Sequence, residues 1–503
     1  MAVYSYISKG SVSDQLILYM GLIMVPVAGI AIFYDSLPIL IAIFIGMLIM
    51  VAVFHRPIIG VYLLIAIYPI ESVYLRLNRN WPGTTNIYPF ELLSISLLIV
   101  MVLRYLSSRH QPIESPPIPI PNHRWVVYFS AVFIISSLFT LIWVDRFDKA
   151  MFGWIRLNCN FILLVFLVFA IDRYEKFVKT LTFFCAAAVF FSFLSIYSGY
   201  YAFLTRYELL VTPYISIIQE NSLFNHAGGF LPQIIGMVSG FGVSGKHELG
   251  MFLMSAIPFG FFLIHEYSSI IAKGVIGLLI LLCLSIVHVA FVKLSILGLF
   301  LVLCAVCLHI PDWRRRLAGI VGVFILINIT AHFASEIIRP ASMKVMETVA
   351  SKVAKISKNS QYQSGSLSER IRIWKRSIER IKRAGGTGEG PDSLEKDVLH
   401  GHNFLLTFAA DYGILGLTFI IISLISILTE AYRQIFSHVQ IANRFWLLKL
   451  TLFSATMCTL FEYLFDCFIW YPQAWFVTGL LFASLRLVSD CPDGAIASNI
   501  SSK

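Results

Sequence analysis

Apolar runs about 20 residues long recur from one end of this 503-residue chain to the other, and nothing constrains its fold more. A helix of that length crosses ~30 Å of hydrocarbon. Inside lipid every backbone N–H and C=O must find its partner within the protein, which leaves helices or closed barrels. The runs lie near residues 15–34, 37–54, 58–77, 91–107, 125–144, 152–171, 180–202, 248–267, 270–292, 294–310, 318–338, 404–429, 448–470 and 472–489. They predict an all-α fold, a polytopic membrane helical bundle of about 14 transmembrane helices. Composition agrees: 58% of residues are hydrophobic and 13% charged, which excludes ordinary soluble classes. The first run, Gln15 to Tyr34, lacks a basic leader and a small-residue cleavage site, so no cleavable signal is expected.

Lys and Arg in the short loops set the orientation. They fall in alternate loops: Arg56; then Arg104, Arg109 and Arg124; then Arg173, Lys176 and Lys179; then Arg314, Arg315 and Arg316; then Arg433 and Arg444. Both termini are therefore expected in the cytoplasm, with the loops at about 203–247 and 339–403 outside. Four regions result. Residues 1–338 form an N-terminal transmembrane bundle and 339–403 a large external loop with an amphipathic helix at about 367–384. Residues 404–489 are C-terminal transmembrane helices and 490–503 a cytoplasmic tail. The Pro-rich stretch Ser115 to Asn122 reads as a stiff connector. Cys304 and Cys307 form a C-x-x-C inside an apolar helix without a second pair, and read as small buried hydrophobes. No metal or cofactor is expected.

The external loop concentrates the chemistry. Ser366 and Glu369 fit a capping box, so a helix is expected to start there and stop at Gly385 and Gly386. At ~100° per residue, Leu367, Ile371, Trp374, Ile378 and Ile381 share one face, expected to be buried. Arg372, Arg376, Arg380 and Arg383 line the opposite face, expected to meet water or lipid headgroups. Arg370 falls beside Trp374 and Ile381, at the edge of the apolar stripe. A guanidinium there needs a partner, either a phosphate held by two parallel bonds or a structural carboxylate. His402 follows a Gly-rich turn and opens the next span, with Asn403 beside it as a cap. A helix N-terminus disfavours an imidazolium, so His402 should stay neutral and able to accept a proton.

Read together, Arg370 and Trp374, the Gly-rich turn, His402, Asn403 and Leu406, then Asp411 and Gly413 to Gly416, resemble the O-antigen ligase and O-antigen polymerase family. More loosely, Gly240 to Leu253 is similar to that family's second external motif. The resemblance implies an inverting, metal-independent transfer of a glycan from undecaprenyl diphosphate to a sugar hydroxyl. It places that chemistry on the periplasmic side of a bacterial inner membrane. His402 would be the general base and Arg370 would hold the diphosphate, helped by Arg372, Lys246 and Lys293. Trp374, Asn403, Asp411, His247 and Glu248 would support or orient them. The chain departs from the family at two places. No arginine stands between Arg206 and Lys246, and Ser295 is followed by Ile296 rather than arginine, with Lys293 nearby.

The chemistry is coherent without the name. A polyprenyl diphosphate leaves readily if fixed cations meet its growing charge, and the attacking hydroxyl needs a base within hydrogen-bond reach. Glu462 and Asp466, four apart in one span, would orient an arginine, line the acceptor groove or pair structurally. Arg156, near the outer end of its span, is a further phosphate candidate. The partners implied are a lipid-linked oligosaccharide donor, a glycan or lipid A-core acceptor, membrane lipids and polysaccharide-export proteins, with no nucleic acid. A polymerase of surface or exopolysaccharide repeat units leads, because the chain and its span count are large for a ligase. A ligase attaching finished glycan is the alternative. A lipid-linked oligosaccharide flippase is a third reading from a different class, and it predicts repeats and a charged central cavity.

Overall fold

The computed structural model describes residues 37–67, 75–76, 86–87, 89–108, 134–135, 137–144, 147–205, 246–289, 367–391, 403–436, 444–464 and 472–487, with isolated positions between 297 and 326. Among them the chain is helical apart from one antiparallel bridge, β1 (Leu75–Arg76) with β2 (Asn86–Ile87), in which Leu75 faces Ile87. The helices are α1 (Leu37–His55), α2 (Pro57–Ile67), α3 (Pro89–Ser108), α4 (Phe147–Ala170), α5 (Tyr174–Thr205), α6 (Lys246–Glu266) and α7 (Ile270–Val289). They continue with α8 (Leu367–Arg383), α9 (Phe404–Phe436), α10 (Arg444–Tyr463) and α11 (Pro472–Ser484).

Among the described residues, four stretches are long and apolar enough to cross a membrane: Gly153–Ala170 in α4, Tyr174–Phe193 in α5, α9 and α10. Shorter apolar helical stretches accompany them at Gly46–His55, Pro57–Ile67, Gly250–Glu266 and Ile270–Leu284. The expected span at 15–34 lies outside the described residues, as do half of that at 125–144 and most of those at 294–310 and 318–338.

These helices are apolar on both faces, the mark of a bundle bathed in lipid. On α3, Phe90, Leu93, Leu97 and Val100 are buried while Ile95, Leu98, Ile99, Val102 and Leu106 are exposed. Aromatic rings fill the centre. Phe184 of α5 packs on Phe252 and Phe259 of α6, at ring-centre distances of 4.3 and 5.1 Å, and on Phe476 of α11 at 5.8 Å. A small residue lets α11 approach α4: a methyl group added at Gly479 would stand 2.8 Å from Leu167 Cδ1.

Basic residues gather at one end of the bundle and donate to the last carbonyls of helices, groups left without partners inside the helix. Arg104 Nη1 donates to Phe54 C=O at 3.1 Å. Arg486 Nη2 donates to Ile171 C=O at 3.0 Å and to Val168 C=O. Lys449 Nζ donates to Leu487 C=O at 3.0 Å, and Trp446 Nε1 to Ile435 C=O at 2.9 Å. Arg444 lies over the Tyr174 ring at 4.8 Å, and the Tyr174 hydroxyl donates to Glu266 at 2.7 Å. These contacts bring together the C-terminal ends of α1, α4, α6, α9 and α11 and the N-terminal ends of α5 and α10. The opposite ends of these helices, the starts of α6 and α9 among them, face the other side.

The span expected as one helix at 404–429 is instead two pieces joined at Gly413, whose φ of 74° and ψ of 176° are non-helical. Residues 414–436 alone are ~34 Å long, enough to cross the hydrocarbon unaided. Leu464 stands ~27 Å up α10 from Trp446, and Ile414 ~31 Å up α9 from Ile435, at 1.5 Å per residue. Since Trp446 bonds Ile435 and Asn403 Nδ2 donates to Leu464 C=O at 2.9 Å, Asn403 sits near the level of the break. The piece 404–412 therefore runs across the end of the bundle rather than onward. The break was hidden because Gly413 lies within a run that is apolar apart from Asp411, and glycine is common inside membrane spans.

Candidate functional site

The end away from the basic cluster is assembled by a glycine-rich turn. Helix α8 closes with a Schellman motif: Gly385 N–H donates to Lys382 C=O at 3.1 Å and Gly386 N–H to Ile381 C=O at 3.0 Å. The chain then clasps the broken helix through its backbone. Glu389 N–H donates to Ala410 C=O at 2.7 Å, Gly390 N–H to Asp411 C=O at 3.0 Å, and Ile414 N–H to Gly386 C=O at 2.8 Å. The interruption at Gly413 leaves carbonyls of the preceding turn without helical donors, and the turn supplies them.

Only glycine fits the two points where the backbones touch. Gly388 has φ of 86°, and a Cβ there would lie 2.5 Å from Gly413 N and 2.7 Å from Asp411 O. At Gly413 a Cβ would lie 2.6 Å from Gly386 O and Thr387 O. Gly390 sits directly against the Val144 side chain, after the short 3-10 turn Thr140–Trp143, so the clasp also touches the segment leading into α4.

Arg380 fastens the clasp from the side. It is only 7% exposed, and its Nε donates to Glu389 Oε2 at 2.9 Å while Nη2 reaches the same oxygen. The sequence expectation placed Arg380 on the solvated face. The correction has a plain cause: α8 buries Ile373, Ser377 and Arg380 rather than its apolar stripe, and the turn brings Glu389 back beneath it. Ile371 and Ile378, expected to be buried, are 40% and 42% exposed.

The cap expectation at Asn403 is realised in side-chain detail. Its Oδ1 accepts Leu406 N–H at 3.1 Å, three residues into the helix, and its C=O accepts Thr407 N–H at 3.1 Å. With the tie to Leu464, Asn403 pins the start of α9 to the outer end of α10. Below it an apolar pocket is lined by Phe404, Phe408, Leu460, Tyr463 and Trp475 among others.

His402 and Asp466 lie outside the described residues, as does Lys293. Arg370 is in the first turn of α8, and Lys246, His247 and Glu248 open α6 at the clasp end; nothing is described of their side chains. Arg372 is exposed and Trp374 half-buried. Asp411 is 1% exposed within the clasp, and Glu462 is 2% exposed on α10, two residues before Leu464. Arg156 is not a bare phosphate candidate, because its Nε donates to Glu91 Oε1 at 2.7 Å near the start of α3. Sequence reasoning missed the Arg380–Glu389 pair and the Asn403–Leu464 tie. For the pair, the available signal was a lone acid amid the glycines of GGTGEG.

Residues 250–421 match the family model described as O-Antigen ligase. The match spans about a third of the chain. No curated protein matches the chain. The matched segment starts in α6 and ends just past the break in α9. It takes in Arg370, Trp374, the whole clasp, His402, Asn403 and Asp411, and leaves out Lys246, His247, Glu248, Glu462 and Asp466.

Proposed function

We propose that this protein is a membrane glycosyltransferase of the O-antigen ligase and polymerase type, working at the clasp end of the bundle. One observation carries the reading: the turn from 385 to 390 binds the helix bearing Arg370 to the broken helix that begins one residue after Asn403. His402 directly precedes Asn403 in the sequence. In this account the clasp end is periplasmic and the basic end cytoplasmic, which the distribution of Arg104, Arg444, Lys449 and Arg486 supports. The full bundle has about 14 spans, with both termini inside.

The reaction joins an acceptor hydroxyl to the anomeric carbon of a glycan held on undecaprenyl diphosphate. The C–O bond to the acceptor forms as the bond between the anomeric carbon and the diphosphate oxygen breaks, with inversion. The diphosphate leaves with the electron pair. Arg370 meets its charge through a two-pronged contact, and His402 takes the hydroxyl proton. The site requires no metal in this scheme.

Polymerisation of lipid-linked repeat units remains the first reading, on chain length and span count. The description O-Antigen ligase favours the second, transfer of finished glycan to lipid A-core. Structural analysis of the glycan made by a His402→Ala strain separates them. A polymerase predicts single repeats still attached to lipid A; a ligase predicts no attached glycan and accumulation of lipid-linked polymer. Unchanged glycan would remove His402 from the chemistry.

A further inference from the structure

Helix α8 shows three sectors around its axis at ~100° per residue. Ile373, Ser377 and Arg380 form the sector packed on the protein. Lys375, Arg376, Lys382 and Arg383 form an exposed cationic sector, interrupted by Glu379 alone. Between them lies an apolar strip, Ile371 and Ile378, with Trp374 and Ile381 half-buried at its margin. A helix held only by the protein would turn its isoleucines inward. This one turns inward a single isoleucine, Ile373, with a serine and an arginine, and leaves Ile371 and Ile378 outside.

We infer that this strip is covered by the bilayer itself: α8 lies along the membrane surface at the clasp end, with Ile371 and Ile378 inserted among acyl chains and its lysines and arginines over anionic headgroups. The place of α8 in the fold supports that occupant. The Ile414–Gly386 bond fixes the C-terminal end of α8 to the residue where the membrane-crossing piece of α9 begins, so α8 starts from the hydrocarbon boundary. Leu415, one residue further, is 72% exposed and faces lipid from the span. An apolar strip beside a row of cations is the pattern of a helix lying in the interface plane, its cations drawn to an anionic surface. The arrangement holds α8 at headgroup level whatever chemistry the protein performs.

The test uses the full-length protein in vesicles of phosphatidylethanolamine and phosphatidylglycerol. A photoreactive p-benzoylphenylalanine replaces Ile371, Ile378, Arg376 or Leu415 in turn, and adducts are read by mass spectrometry. The expected result is lipid adducts at 371 and 378 as at 415, and their loss at 376. Phosphatidylglycerol should be enriched at least about twofold over its bulk share in the 371 and 378 adducts. Adducts from 371 and 378 to protein, in this chain or another, would overturn the assignment. So would absence of lipid adducts there while the 415 position reacts. Adducts that mirror the bulk lipid ratio would overturn its electrostatic half.

Discussion

At the basic end of the bundle, Arg104, Arg486 and Lys449 donate to helix-terminal carbonyls and Arg444 lies on Tyr174. At the clasp end the backbone is engaged as well: the glycine-rich turn bonds the broken helix, and Arg380 meets Glu389, Asn403 meets Leu464 and Arg156 meets Glu91. The first end ties helices together through separate side-chain contacts, so losing Arg104 to Phe54 leaves those of Arg486 and Arg444 in place. The second is a single connected construction in which α8, α9 and α10 hold each other. What differs is coupling, and that explains how a helix carrying Arg370 and a helix starting at Asn403 come to share one frame.

The comparison breaks most readily at the glycines. Gly413→Ala and Gly388→Ala place a methyl group on backbone atoms and strain a positive φ, so either should lower stability on the order of 3 kcal/mol or more. Thermal unfolding of the protein in nanodiscs, followed by tryptophan fluorescence, measures this; an unchanged midpoint would mean the clasp is loose. Next come Arg380→Met and Glu389→Gln, each expected to cost about 2 kcal/mol, below the range of a fully buried pair because Glu389 is 29% exposed. The combined variant should recover much of that loss in a double-mutant cycle, and simple additivity would contradict a direct pair. Asn403→Ala should cost about 1 kcal/mol for the cap plus whatever the Leu464 tie adds. Asn403→Asp keeps the cap and removes the tie, and should fall between. Arg104→Met at the basic end should cost about 1 kcal/mol and leave glycan transfer unaltered, since no shared frame depends on it.

Much of this was legible where the cause is local. The apolar runs announce the spans, the glycine pair at 385 and 386 announces the end of α8, and Asn403 announces the start of α9, because caps depend on residues within one turn. The rotation of α8 was not legible, since its apolar stripe predicts burial within the protein unless lipid is present as a partner. Arg380 was misplaced because its carboxylate comes from beyond a turn whose path depends on four glycines with positive φ, at 385, 386, 388 and 390. The break at Gly413 depends on donors from that same turn, so neither half of the clasp reveals itself alone.

Arg370→Lys should abolish transfer nearly as fully as Arg370→Ala, because an ammonium does not supply the two-pronged contact with a diphosphate. The proposed meeting of that guanidinium with the imidazole of His402 is the centre of the whole account. It is tested most directly by a cross-link in the full-length protein carrying Arg370→Cys and His402→Cys. A bifunctional thiol-reactive reagent about as long as a diphosphate group is used, with the eight native cysteines replaced by alanine. Efficient linkage of 370 to 402, blocked by a polyprenyl diphosphate, is the result expected. Both positions labelled singly and never joined would contradict it.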